Sequence, residues 1–81
     1  MAKKVVAEFG KLRIMMDVGT GEGYAARPYV SFVEGGTVKY HHIYLDEVDD
    51  LMSGERHEKE AICWLRQHKE ELIAEYLRSN P

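Results

Sequence analysis

Eighty-one residues, 44% of them apolar and 31% charged, with a formal net charge of −3, describe one small globular domain spanning the chain, which the order of its elements below makes α+β. That balance excludes a disordered chain and disfavours a nucleic-acid binder, because phosphate affinity comes from clustered lysine and arginine, and only Lys3-Lys4 and Lys11 with Arg13 come close. A single cysteine excludes an internal disulfide or a cysteine-pair zinc site, and the lack of an apolar leader or membrane-length run predicts a reduced, cytoplasmic protein.

In chain order, Val5–Phe9 and Leu12–Met16 are β-favouring runs separated by Gly10-Lys11, which predicts a tight hairpin with Leu12, Ile14 and Met16 on one face. Gly19-Thr20-Gly21-Glu22-Gly23 then breaks the pattern as a mobile loop. Its spacing suggests a phosphate loop, but Pro28 and a strand follow where a phosphate site needs a helix N-terminus. Pro28 leads into Tyr29–Glu34, and Gly35-Gly36 joins that run to Thr37–Leu45. Glycine takes the positive φ of a primed turn without strain, so this is the strongest hairpin signal in the chain.

A two-residue turn pairs Val33 with Val38, Ser31 with Tyr40 and Tyr29 with His42 on one side of the sheet. Phe32 with Lys39 and Val30 with His41 then fall on the other, joined by Ile43 and Leu45. Both faces come out partly apolar, and only a bulge cleans up the pattern. Asp46 reads as a helix N-cap, with Val48, Leu51 and Met52 as a short apolar stripe ended by Gly54. A long helix follows from about Glu55 to just before Ser79. At about 100° per residue, Ala61, Leu65, Leu72 and Tyr76 form one stripe flanked by Ile62 and Ile73, opposite Cys63, Gln67, Glu70, Glu71 and Arg78.

The predicted architecture is therefore an antiparallel sheet of three to four strands, built from two hairpins and packed by one long C-terminal helix. One helix covers one face. The other is expected to carry Tyr29, Tyr40 and Tyr44 with Val33 and Val38, as an interface or as a partly buried rim.

Candidate chemistry is thin. His41 and His42 are adjacent on a strand and point to opposite faces unless a bulge intervenes, and no third ligand is spaced to join them. His57 stands at the helix start and His68 near its apolar edge. Asp46, Glu47, Asp49 and Asp50 form the densest acidic cluster, read either as charge complementing a helix N-terminus or as a docking patch for a basic partner. No catalytic, cofactor or metal residues are assigned, and an enzyme is not expected.

The phrase Trp64-Leu65-x-x-His68-Lys69-Glu70-Glu71-Leu72-Ile73, after two hairpins and a proline-led strand, resembles a family of small bacterial proteins of unknown function, some found in toxin–antitoxin neighbourhoods. That family usually has Pro-His-Val-His where this chain has Pro28-Tyr29-Val30-Ser31, so a site built on those histidines does not carry over. The resemblance implies a small cytoplasmic bacterial or phage-borne protein with an antitoxin-like role. The expected function is a non-catalytic protein-interaction module using Tyr29, Tyr40, His42, Tyr44, Asp46, Glu47, Asp49 and Asp50 to bind another protein. The alternative is a homodimeric regulatory domain with nucleic-acid contact, its open face buried against a second copy.

Overall fold

The structure, a computed structural model, describes residues 2–18, 27–51 and 56–79. Strands β1 (Ala2–Phe9), β2 (Leu12–Val18), β3 (Tyr29–Glu34) and β4 (Thr37–Tyr44) form one antiparallel sheet in the order β1-β2-β3-β4. A 3-10 helix, Leu45–Asp50, and the long helix α1 (Arg56–Ser79) complete the chain. This is the predicted α+β arrangement. The expected loop at Gly19–Gly23, and Met52 and Gly54 of the expected short helix, lie outside the described residues.

Both hairpin turns follow from glycine. Gly35 and Gly36 take φ of +58° and +84°, the primed geometry that matches strand twist, and Gly10 takes +63°. A methyl group at Gly10 would lie 2.8 Å from His57 Nε2, so the first turn is also where the start of α1 packs against the sheet.

α1 buries the stripe read from its periodicity, Ala61, Ile62, Leu65, Leu72 and Tyr76, against Leu12, Ile14 and Met16 of β2 and Val30 and Phe32 of β3. Cys63, Gln67, Glu70, Glu71 and Arg78 are exposed as expected. Phe9 meets Trp64 edge-on at 6.4 Å, and Lys4 pairs with Glu75, so α1 is tied to β1 near both of that strand's ends. No described helix is long and apolar enough to cross a membrane.

The register of the second hairpin departs from expectation after its first two pairs. Glu34 meets Thr37 and Val33 meets Val38, but Phe32 then meets Tyr40, Val30 meets Ile43 and Tyr29 meets Tyr44. β4 therefore carries two bulges, one at Lys39 and one where His41 and His42 together oppose Ser31. The physical reason is burial. Without the bulges, alternation would place Lys39 and His41 over the core beside Phe32 and Val30. With them, Ile43 rather than His41 comes opposite Val30, and Tyr40 rather than Lys39 comes opposite Phe32 on the helix side, meeting it edge-on at 5.9 Å. The expected pairs Ser31–Tyr40 and Tyr29–His42 are thus corrected, and Tyr40 is not on the open face.

The Asp46 segment also differs. The expected short helical turn is there, as a 3-10 helix, but its N-cap is Tyr44 rather than Asp46, and no side chain caps it. Its carbonyls are instead held by the Arg66 guanidinium, which donates from Nε to Val48 O at 3.1 Å and from Nη2 to Asp49 O at 3.2 Å and Leu51 O at 2.8 Å. Carbonyls left open at a helix end need such donors, and α1 supplies one from its exposed side.

Candidate functional site

At the end of the sheet away from the glycine turns, the start of β3, the end of β4 and the C-terminal part of α1 converge. Arg27, just before Pro28, grips Asp46 with both arms of its guanidinium, Nε to Oδ2 at 3.0 Å and Nη2 to Oδ1 at 2.8 Å, and reaches Glu47 Oε1 at 2.7 Å. The same guanidinium lies 4.0 Å above the Tyr44 ring, a cation–π contact. A backbone bond from Leu45 N to Pro28 O at 3.0 Å sets the two segments side by side. Hydrogen bonds from Arg27 hold the Asp46 carboxyl below its ordinary range, and those to Asp46 and Glu47 raise the pKa of the guanidinium.

Behind this clamp Tyr29 is the hub of an aromatic cluster. Its ring lies 4.5 Å from His42, 6.3 Å from Tyr44 and 5.6 Å from Tyr76 of α1, and His42 stacks on Tyr44 at 6.2 Å. The Tyr29 hydroxyl donates to the buried carboxylate of Asp17. Burial first, and then that bond, push the Tyr29 phenol well above its usual pKa.

The sign of the resulting pH dependence is set by this shift. The unfolded chain releases the tyrosine proton near pH 10 while the folded chain keeps it, so stability is full below about pH 10 and falls as pH rises beyond it. In a spectrophotometric titration the Tyr29 phenol should ionise late, and Tyr29→Phe should remove one tyrosine's amplitude from the late component. An unchanged late component would refute the assignment.

Of the residues expected to bind a partner, the fold gathers Tyr29, His42, Tyr44, Asp46 and Glu47 into this one cluster. Tyr40 sits elsewhere, 46% exposed, over a hollow of about 90 Å³ lined by Phe32, Ile43, Leu51, Glu58 and Ile62. Asp49 pairs with Lys69 at 3.2 Å, and Asp50 is exposed. Three of the four acidic side chains are thus engaged in ion pairs with arginine or lysine, and the segment is far less negative outside than its composition suggests. Arg27, Asp17 and Tyr76 complete the cluster, and no spacing rule marks them: each is joined to it only by the chain path.

The remaining candidates are dispersed. His41 and His42 share a bulge, but no group of three or more His, Cys, Asp or Glu residues able to hold a metal occurs among the described residues. His68 stacks on Trp64 at 4.4 Å with its Nδ1 3.0 Å from the Trp64 carbonyl, and His57 lies 3.7 Å from Glu60. The Ser31 hydroxyl donates to the His41 carbonyl at 2.7 Å.

The opposite face of the sheet is simpler. Alternation away from the buried Leu12, Ile14 and Met16 gives two rows across the strands, Glu8–Arg13–Val33–Val38 and Val5–Met15–Ser31. No described element packs on Val5, Met15, Val33 or Val38, whereas Ser31 is buried, so this face is mixed in charge at one end and carries part-exposed apolar side chains at Val5, Met15, Val33 and Val38. In comparison with known proteins, no family model, no curated protein and no solved structure matches the chain.

Proposed function

We propose that the chain is a non-catalytic protein-interaction module, antitoxin-like or inhibitor-like in mode, that binds a partner protein in the bacterial cytoplasm through its open sheet face. The observation that supports this most is the one-sided sheet: α1 covers the face carrying Leu12, Ile14, Phe32 and Ile43, while Met15, Val33 and Val38 lie on the other with no described element over them. Part-exposed apolar rows across a sheet, bordered by charge, fit a protein surface better than a small molecule. In this reading the Arg27–Asp46–Glu47 clamp fixes the rim, with His42 and Tyr44 presented beside it, rather than acting as a free acidic patch.

The resemblance to small bacterial proteins from toxin–antitoxin neighbourhoods points the same way. A nucleic-acid role is less well supported, since Arg13 at the basic end is offset by Glu8 at 3.6 Å.

The test is native mass spectrometry of untagged protein isolated gently from its own host. The expected mass contains a second protein, and the double variant Met15→Glu/Val33→Glu should lose it while keeping its circular dichroism. Protein that carries no second species, or a double variant that retains it, would overturn the reading.

A further inference from the structure

The two outer strands of the sheet are not equivalent. β4 is bulged twice, which blunts it as a template for further pairing. β1 contains no proline, is bulged once, at Val6, and among the described residues bonds through its backbone to β2 alone. Its outward row of N–H and C=O groups is open to another strand. Val5, at its middle, is 43% exposed.

We propose that β1 pairs antiparallel with β1 of a second copy of this chain, about a two-fold axis between Val5 and Val6, so that the two sheets become one. Charge and register single out this axis. It places Lys3 opposite Glu8 of the partner subunit and, by symmetry, Glu8 opposite Lys3 of the partner subunit, with Lys4 meeting Ala7 and the two valines at the centre.

The bulge is what makes the match possible. Residues an odd number apart on a regular strand point to opposite faces, so Lys3 and Glu8 could not meet across a two-fold axis. In β1 the extra residue at Val6 resets the alternation. Lys3 opposes Asp17 and Glu8 opposes Arg13, which puts both on the open face, whereas Lys4 opposes Met16 and Ala7 opposes Ile14, which puts both on the helix face. The Lys3–Glu8 and Lys4–Ala7 pairs across the axis therefore each join residues of the same face. An axis through Val5 would set Lys3 against Ala7, and one through Val6 would set Lys3 against Phe9. Both pairings cross faces and leave Lys3 and Glu8 uncompensated. Glu8 already touches Arg13 at 3.6 Å across exposed surface, and the added lysine would place it between two cations. The interface is isologous, as a closed dimer requires, and it is independent of what binds the open face.

Sedimentation equilibrium of the purified full chain tests this without any second protein. The wild type should be a dimer. Lys3→Glu alone and Glu8→Lys alone should each weaken it on the order of tenfold, because each reverses two symmetric surface pairs. The two variants mixed together should associate with each other at wild-type strength, since every cross-axis pair in the mixed dimer again joins opposite charges. Circular dichroism should be unchanged throughout, as both side chains are exposed. A monomeric wild type would overturn the proposal. So would a dimer indifferent to both reversals, or charge-reversed variants that fail to recover on mixing.

Discussion

Lys39→Ala should destabilise the fold by about 3 to 5 kcal/mol, a loss out of proportion to a lysine on an outer strand. The Lys39 ammonium lies 2.8 Å from Glu58 Oε1 and 3.5 Å from Glu34 Oε2, and Glu58 is only 4% exposed at the start of α1. Removing the lysine takes a counter-charge from a carboxylate held away from water, which is far more costly than losing an exposed pair. A domain of this length has a total stability of about 4 to 12 kcal/mol, so the variant should be partly unfolded near physiological temperature. Urea denaturation read by circular dichroism measures the loss. The double variant Lys39→Ala/Glu58→Leu should recover most of it, because the site then becomes an apolar contact with Ile62 and Leu51. A single variant within about 1 kcal/mol of wild type would show that the pair carries no such weight.

Phe32→Ala should cost a similar amount, about 3 to 5 kcal/mol, by emptying the centre of the core. Phe32 is 1% exposed and packs in the same cluster as Ile14, Ile43 and Leu65. The consequence particular to this fold concerns Tyr40, whose ring rests edge-on against Phe32. A cycle of Phe32→Ala, Tyr40→Ala and the double variant should show a coupling of about 0.5 to 1.5 kcal/mol, as aromatic pairs do. Unbulged alternation would put the two rings on opposite faces, and the effects would then add with no coupling. The cycle therefore measures the bulge at Lys39 in solution.

Much of the fold was legible in the amino-acid order. Three signals were sufficient: alternation at Leu12, Ile14 and Met16, the Gly35-Gly36 turn, and the helical period of Ala61, Leu65, Leu72 and Tyr76. The candidate site was less legible. Tyr29, His42, Tyr44, Asp46 and Glu47 stood out by residue type, but their grouping depends on Arg27, Asp17 and Tyr76, which lie on three separate segments. Tyr40 was misplaced because it sits beyond the bulge at Lys39. The acidic run Asp46–Asp50 suggested an open patch, whereas Arg27 and Lys69 neutralise most of it from a distance of about twenty residues along the chain.

What the sequence by itself determined is the set of elements, their order and the buried stripe of the helix, because turn chemistry and hydrophobic period act over a few neighbouring residues. Only the tertiary structure decided the register of β4, the burial of Glu58 against Lys39 and the ring cluster around Tyr29. A bulge costs little locally, and its position is chosen by what fits under α1. Ile43 could take the place of His41 opposite Val30 only if β4 slipped past Lys39 and the histidine pair, and that gain in apolar burial exists only once helix and sheet have met.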